Sequence, residues 1–188
     1  MKYRPELDIE ERDDVYPPSE DSILLIESLN ISVGERILEI GCGSGIVSIH
    51  CALNGGEVTA VDINQSAVEV TRKNAETNDV RMTVKRSDLF ENVEGRFDTI
   101  VFNLPYLPVD DEGMLERSWS GGPDGIGPLP ELLREAPFYL TEKGRIVIVT
   151  SSLMDHERLS SLLSVYNVRK DGELPLFFER LDVLEITR

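Results

Sequence analysis

Short runs of β-branched and other apolar residues alternate with helical stretches from Ile31 onward. Strands that are separated by helices favour a parallel sheet covered by helices on both faces. The pattern therefore predicts a doubly wound α/β fold. The five parallel strands that we predict are Arg36 to Ile40, Glu57 to Asp62, Arg81 to Arg86, Thr99 to Asn103 and Gly144 to Thr150.

The two ends of the chain add different elements. After a helix predicted near Asp155 to Tyr166, the strand-like runs Val168 to Phe177 and Glu179 to Ile186 stand too close together for a helical crossover. Parallel pairing needs a connection of about a dozen residues or more, so these two runs must be antiparallel to each other. Ser19 is expected to cap a helix from Glu20 to Leu29. We therefore predict a seven-stranded, mostly parallel sheet with an antiparallel C-terminal strand.

The length and charge of the chain narrow the class of protein. A chain of 188 residues favours one domain, with an N-terminal arm and helix over residues 1–30 and a long loop rich in glycine and proline over residues 104–129. Nineteen Lys and Arg against 35 Asp and Glu give a net charge of −16. This charge repels phosphate backbones, so nucleic acid is a poor candidate partner.

Neither a membrane segment nor a leader is predicted. The longest apolar runs fall far short of the roughly 20 residues that a membrane helix needs, and residues 1–14 are too charged for a signal peptide, so we expect a cytoplasmic protein. Cys42 and Cys51 lack a second pair or a histidine cluster, so no metal site or disulfide is indicated, and both are expected to be buried thiols. His50 and His156 lie in predicted helices and are expected to be structural or surface residues.

The segment Gly41-Cys42-Gly43-Ser44-Gly45 follows the first strand and opens a helix, as a nucleotide-binding turn does. Its spacing differs from the G-x-G-x-x-G of dinucleotide folds, and Glu39 before it suits an ammonium group better than a pyrophosphate. Asp62 ends the second strand, where a carboxylate can accept both ribose hydroxyls, and Asp88 follows the third, within reach of an adenine amine. The alternatives are a plain tight turn for the glycines, a strand end or helix cap for Asp62 and a helix N-cap for Asp88. Together these features resemble the class I methyltransferase fold, which binds S-adenosylmethionine.

The segment Asn103-Leu104-Pro105-Tyr106 after the fourth strand resembles the N-P-P-Y signature of methyltransferases that act on a planar nitrogen, although an ordinary turn remains the alternative. Such a nitrogen is a weak nucleophile because its lone pair is delocalised. Asn103 would accept one N–H and the Leu104 carbonyl the other, while Pro105 stiffens the turn and Tyr106 stacks on the substrate. Leu104 stands where the first proline is usual, but the required group there is a backbone carbonyl.

Two further segments narrow the resemblance. The run from Val15 to Ser22 is similar to the V-Y-x-P-x-E-D-[ST] opening, and the run from Ser118 to Gly125 to the S-W-x-G-G-x-x-G loop, of the HemK-type branch found in eukaryotes and archaea. The resemblance implies methylation of the glutamine side-chain amide in the Gly-Gly-Gln motif of a class I translation termination factor. It also implies a small zinc-binding activator subunit in a heterodimer, for which the edge strand near Met82 to Lys85 is the expected surface.

The family's functional residues carry over by position. Its cofactor contacts match Ser22, Glu39, Gly41, Asp62, Asp88, Leu89 and Asn103. Gly43, in the same glycine turn, is expected to bind the cofactor as well. The substrate clamp matches Asn103, Leu104, Pro105 and Tyr106, within a substrate loop over residues 104–129. Tyr16 and Pro17 either close over the cofactor or belong to a packed arm, and Trp119 either shapes the substrate cleft or packs its loop.

Other functions compete with glutamine methylation. The same clamp can hold the amine of an adenine in nucleic acid, but phosphate contacts draw on Lys and Arg, and the sequence has no basic cluster beyond Arg81 to Arg86. A lysine amine is not planar and gains less from such a clamp. A cofactor-binding protein without catalytic activity would not need Asn103 and Tyr106. Methylation of a small molecule is a further alternative.

Overall fold

Seven strands and five helices make up the computed structural model, which describes residues 1–188. The strands are β1 Arg36–Ile40, β2 Glu57–Asp62, β3 Thr83–Arg86, β4 Phe97–Phe102, β5 Leu140–Ser151, β6 Asn167–Pro175 and β7 Arg180–Thr187. The helices are α1 Glu20–Ser28, α2 Ile46–Leu53, α3 Gln65–Thr77, α4 Leu129–Tyr139 and α5 His156–Leu163, with a short 3-10 helix at Glu116–Ser118. None of the helices combines the length and the apolar character that crossing a membrane requires.

The strands form one sheet in the order β3-β2-β1-β4-β5-β7-β6. The pairs from β3 through to β5 are all parallel, whereas β7 is antiparallel to both β5 and β6. Six strands therefore run in one direction and β7 in the other. This topology confirms the predicted α/β sheet with an antiparallel C-terminal strand. The link over residues 176–179 is too short for a crossover, which is why β6 and β7 form a hairpin.

Some local predictions were wrong. β5 begins at Leu140, not at Gly144, because Leu140 already pairs with β4 ahead of a register shift. β3 begins at Thr83, not at Arg81, because this edge strand has only β2 as a partner and its first residues are left unpaired. Ser19 occupies the N-cap position of α1, but its hydroxyl donates to the Glu20 carboxylate at 2.6 Å and makes no bond to the helix backbone. The pairing of Ser19 with its neighbour removes the capping interaction that its position favours.

Alternation along the central strands divides the apolar core into two layers. Ile37 of β1 and Val101 of β4 pack on the side of α1 and α2, whereas Leu38 and Ile100 pack on the side of α4 and α5. All four side chains are fully buried. Successive side chains of a strand point to opposite faces, so one apolar run in each central strand supplies both layers. Cys42 and Cys51 are buried and unpaired, as expected.

His50, on α2, ties the N-terminal arm to the body of the protein. Its Nδ1 lies 2.7 Å from the Ile46 carbonyl oxygen, and its Nε2 accepts a hydrogen bond of 3.0 Å from the Arg4 backbone N–H. This arrangement requires the neutral ring with its proton on Nδ1. The ring is fully buried, and burial lowers the pKa of His50. His50 is therefore structural, as the sequence predicted.

We predict that His50 makes the fold less stable in acid. The unfolded chain binds a proton here near the ordinary histidine pKa of about 6.5, whereas the folded chain does so only at lower pH. The free energy of unfolding should therefore fall by about 1 kcal/mol more in the wild type than in His50→Gln between pH 7.5 and pH 5.5. Urea denaturation at the two pH values measures this difference. An equal pH dependence in both proteins would contradict the prediction.

Candidate active site

The carboxyl ends of β1 to β4 open into one cleft of about 560 Å³. Doubly wound sheets bind ligands at this edge, where the strand order reverses, here between β1 and β4. All eight residues that the sequence analysis assigned to cofactor binding line the cleft. They are Ser22, Glu39, Gly41, Gly43, Asp62, Asp88, Leu89 and Asn103. The fold thus brings together residues from the first helix to the end of the fourth strand.

The glycines after β1 form a turn that side chains would block. Gly41, Gly43 and Gly45 have φ values of +67°, +53° and +82°, which residues with a Cβ atom rarely adopt. A Cβ on Gly41 would lie 3.0 Å from the Phe102 ring, and one on Gly45 would lie 2.7 Å from the Thr71 methyl group. The turn therefore brings bare backbone to the wall of the cleft. The plain tight turn also fits these angles, but it does not account for the carboxylates placed beside it.

Asp62 is held between the end of β2 and the glycine turn. Its Oδ2 accepts a hydrogen bond of 2.9 Å from the Gly43 N–H, and its Oδ1 accepts one of 2.8 Å from the Asn64 N–H. Burial raises the pKa of Asp62, and the two backbone donors oppose that rise. Each carboxylate oxygen keeps a lone pair with which it can accept a hydroxyl. The N-cap of α3 is Asn64, whose Oδ1 accepts a hydrogen bond from the Ser66 N–H, so the alternative prediction that Asp62 caps a helix is wrong.

Glu39 lies fully buried in the floor of the cleft. Ser48 on α2 donates its hydroxyl to Oε2 of this carboxylate. Burial raises the pKa of Glu39 to about 8, and the Ser48 hydrogen bonds moderate the rise. The side chain therefore carries a proton in most molecules at neutral pH. A cationic group that entered the cleft would favour its ionised form. No sequence pattern indicated the contribution of Ser48, because its contact with Glu39 depends on how α2 packs against β1.

The segment after β3 forms the rim of the cleft. Asp88 is exposed there, and no helix follows it, so the N-cap reading is wrong. Leu89 has a φ of +43°, an unusual value for a bulky side chain, and the Ser87 hydroxyl donates to its carbonyl at 3.0 Å. Residues held in such conformations concentrate at ligand sites, because the surrounding structure must fix them there.

Asn103 follows β4 and has one half of its amide anchored. Its Nδ2 donates to Oδ2 of Asp21 at 2.9 Å, and the Tyr106 hydroxyl donates to the same oxygen at 3.2 Å. The Oδ1 atom of Asn103 is buried and has no hydrogen-bond partner. Buried acceptors are almost always paired, so this one is available to a ligand. Sequence reasoning missed Asp21, although it lies beside Ser22 in the motif that identified the N-terminal segment.

The rest of the clamp divides between two cavities. Pro105 lines the large cleft, whereas Leu104 and Tyr106 line an adjoining cavity of about 30 Å³. Asn103 lines both cavities. The Leu104 side chain is buried in the main core, and this packing fixes the turn at the position where the usual proline is missing. The backbone carbonyl of Leu104 accepts no hydrogen bond from the chain. Burial, and then the Asp21 charge, raise the pKa of Tyr106. The predicted clamp residues are thus adjacent, but Tyr106 lines only the small cavity and not the large cleft.

The loop around Trp119 is hydrogen-bonded to the backbone that directly follows the clamp residues. The Leu107 N–H donates to the Trp119 carbonyl at 3.0 Å, and the Gly121 N–H donates to the Leu107 carbonyl at 2.8 Å. A Cβ on Gly125 would lie 2.5 Å from the Tyr106 carbonyl oxygen. The glycines let this loop approach the clamp backbone closely, and Gly121 also lines the cleft. The loop therefore packs against the clamp backbone and also contributes Gly121 to the wall of the cleft, whereas Trp119 itself lines only the small cavity.

Tyr16 and Pro17, at the end of the N-terminal arm, also line the cleft, and Tyr16 lines the small cavity beside Asn103 as well. The Tyr16 ring lies 6.5 Å from the Trp119 ring, with an interplanar angle of 51°. The two aromatic side chains thus connect the arm to the loop. The arm itself is packed against the body of the protein, because Asn74 of α3 accepts a hydrogen bond of 2.8 Å from the Glu10 N–H.

Three comparisons place the chain among known proteins. The family model of the methyltransferase small domain matches residues 19–117. A protein of Methanocaldococcus jannaschii assigned as a protein N5-glutamine methyltransferase is 39% identical over 182 residues, which cover 93% of this chain and 92% of that protein. Methyltransferase HEMK2 of Mus musculus is 33% identical over 153 residues, which cover 73% of this chain and 72% of that protein.

A similar fold is also present in a solved structure of a two-protein complex. The structure of the E. cuniculi Mtq2-Trm112 complex, described as responsible for the methylation of the eRF1 translation termination factor, has a TM-score of 0.75 with this chain. The sequence identity is 19%, and the similarity covers 93% of this chain and 99% of the other. At this identity the likeness establishes a common fold.

Proposed function

Because the chain belongs to the methyltransferase small domain family, in its HemK-type branch, we propose that it methylates the side-chain amide nitrogen of a glutamine. The proposed glutamine is that of the Gly-Gly-Gln motif in a class I translation termination factor. The observation that carries the proposal is the buried, unpaired Oδ1 atom of Asn103, whose orientation Asp21 fixes. An acceptor placed in this way suits a planar amide that presents an N–H.

The cleft fits S-adenosylmethionine, the methyl donor of this family. The glycine turn presents bare backbone to the cleft at Gly41 and Gly43, and Asp62 keeps free lone pairs beside it. We assign the ribose hydroxyls to Asp62, the adenine amine to Asp88 with Leu89 beside it, and the ammonium group to Glu39. When bound, S-adenosylmethionine supplies an electrophilic methyl group on a positively charged sulfur.

The clamp residues act on the substrate amide. The nitrogen would form a bond to the methyl carbon as the methyl–sulfur bond breaks, with the electron pair of that bond kept by the sulfur, which leaves as a neutral thioether. The nitrogen would then lose one of its two protons to solvent. Asn103 Oδ1 accepts one N–H and the Leu104 carbonyl accepts the other, so positive charge that develops on the nitrogen is stabilised by two fixed dipoles. The two hydrogen bonds also fix the plane of the amide and the direction of its lone pair. Catalysis then comes from alignment and electrostatics, without a protein nucleophile.

The surroundings of the clamp favour an amide over the competing substrates. A lysine nitrogen must lose its proton before it can attack, and the buried carboxylate of Asp21 beside the clamp favours the protonated ammonium form. A nucleic acid would have to approach a protein with a net charge of −16. The basic side chains of Arg81 to Arg86 lie along the edge strand β3 and its approach, and Lys85 pairs with Glu94.

We further propose a small activator subunit that binds along β3. This strand is one edge of the sheet, so its outer N–H and C=O groups lack strand partners. A second chain can pair with such an edge, as the assembly named in the E. cuniculi structure suggests. The zinc expected of the family would belong to that subunit. A termination factor acts where translation takes place, so we expect the heterodimer in the cytoplasm.

The direct test follows the labelled methyl group. The chain is incubated with labelled S-adenosylmethionine and a termination factor, with and without the activator, beside a Gln→Asn variant of the Gly-Gly-Gln motif and a DNA duplex. We expect label on the wild-type factor alone. Label on the DNA or on the Gln→Asn variant, or no label even with the activator, would refute the proposal.

We predict that binding of S-adenosylmethionine releases a proton from Glu39. At pH 7.0 this side chain is mostly protonated because its pKa is about 8, and a bound ammonium group would ionise it. The ligand itself stays mostly charged at this pH, below the ordinary α-amino pKa of about 8. Calorimetric titrations in buffers of different ionisation enthalpy should therefore report the release of close to one proton. Glu39→Gln serves as the control and should release none. If the wild type also released none, Glu39 would not be the partner of the ammonium group.

A further inference from the structure

Two aromatic side chains stand in water at the turn between β6 and β7. Phe177 is 91% exposed and Phe178 is 85% exposed, and their rings contact each other edge to face with centroids 4.6 Å apart. Adjacent exposed phenylalanines are costly in water, and aromatic residues of this kind are enriched at protein interfaces. The pair contributes almost nothing to the core. The exposure of both rings therefore indicates a surface that binds another molecule.

The turn lies at the same edge of the sheet as the clamp. β7 begins beside the end of β5, where Leu181 pairs with Ser151, and the clamp follows the end of β4, the strand next to β5. Two strand spacings separate β7 from β4, which places the turn about 10 Å from the clamp along the sheet. The activator edge, β3, is five spacings from β7, or about 24 Å.

The turn is rigidly attached to the segment after β5. The Leu176 N–H donates to the Glu179 carbonyl at 2.7 Å, which closes the turn. The Ser151 hydroxyl donates to the Glu179 carboxylate at 2.6 Å, and the Arg180 N–H donates to the Ser152 hydroxyl at 2.9 Å. The two rings are thus presented on a preorganised backbone, so the turn itself loses less conformational entropy when a partner binds.

Charge connects this turn to the substrate clamp. The Glu179 carboxylate is close enough to Tyr106 and Tyr16 to help burial raise the pKa of both side chains. The turn therefore carries an acidic group next to the exposed rings in the chain, held by the Ser151 hydroxyl at the end of β5. A protein surface with a basic residue beside an apolar recess complements this arrangement, in keeping with the net charge of −16.

We propose that Phe177 and Phe178 dock the folded protein that carries the target glutamine. This inference rests on the proposed function and extends it. The clamp recognises the amide, and the aromatic pair recognises a second surface of the same substrate, one with an apolar recess and a basic side chain close to the glutamine loop. The enzyme then distinguishes its folded substrate from any exposed glutamine.

The test compares a folded substrate with a short one. We expect Phe177→Ser/Phe178→Ser to raise the KM for the folded termination factor about tenfold or more. The kcat/KM for a short Gly-Gly-Gln peptide and the Kd for S-adenosylmethionine should stay unchanged. Phe138→Ser is the matched control, because Phe138 is 71% exposed at the end of α4, where β5 begins, at the opposite edge of the sheet. This control should methylate the folded factor like the wild type.

Several results would overturn the docking proposal. The double variant could methylate the folded factor with an unchanged KM, or it could lose activity equally on the peptide. It could also lose binding of the activator, or turn a wild-type dimer into a monomer in sedimentation, and either result would assign the aromatic pair to another partner. The failure of the proposed function is distinguishable, because the wild type itself would then label neither the factor nor the peptide.

Discussion

Asn103→Ala is expected to lower kcat for glutamine methylation by about a thousandfold, the upper range for the loss of one preorganised hydrogen-bond partner of a transition state. The substitution removes the unpaired Oδ1 atom and leaves the backbone of the turn in place. Without this acceptor the amide loses both its orientation and the dipole that faces its developing charge. Rate measurements under saturating S-adenosylmethionine, with termination factor in excess, give kcat directly.

The affinity for S-adenosylmethionine should change by no more than about threefold in this variant, because other residues hold most of the ligand. Calorimetric titration measures it independently of activity. Asn167→Ala is the matched control, since Asn167 is exposed at the start of β6 and its side chain makes no hydrogen bond. Retention of activity by Asn103→Ala would disprove the clamp mechanism, whereas loss of cofactor binding would show that Asn103 acts mainly as a cofactor contact and not as the substrate clamp.

Asp21→Ala is expected to lower kcat by about a hundredfold, although Asp21 does not touch the substrate in this mechanism. Its carboxylate anchors the Asn103 amide and the Tyr106 hydroxyl, and it is itself buried. Without that anchor the Asn103 amide can rotate and present its NH₂ group to the substrate, which also presents N–H groups. Asp21 is therefore a positioning residue, and its effect should fall on kcat with little change in KM.

Three comparisons separate positioning from a general loss of structure. Asp21→Asn keeps an acceptor of the same size, so it should recover part of the activity. Adding Asp21→Ala to Asn103→Ala should cost almost nothing further, since residues that act as one unit are not additive. Glu20→Ala, an exposed neighbour on the same helical turn, should behave like the wild type. Full additivity in the double variant would show that Asp21 acts independently of Asn103.

The fold was largely predictable because its signals are local. Alternating strands and helices specify a parallel α/β sheet, and the short link before β7 requires a hairpin. The grouping of the expected cofactor residues in one cleft was also predictable, because all of them except Ser22, which lies on α1, are at or just after the carboxyl end of a strand, and these ends meet at one edge of a parallel sheet. Predictions from local residue preferences failed where another contact competed with the expected one. Ser19, for example, was expected to cap α1, but its hydroxyl donates to the Glu20 carboxylate.

The sheet, the glycine turn, the clamp motif and the charge of the protein follow from residue spacing and composition alone. What each motif faces depends instead on the packing of distant segments. The tertiary structure placed Asp21 against Asn103, 82 residues away along the chain, and left the Oδ1 atom of Asn103 without a partner. It also set the exposed phenylalanines beside the clamp edge. Contacts of this kind depend on how distant segments pack, and the packing of the whole chain, not local periodicity, decides which polar atoms stay unpaired.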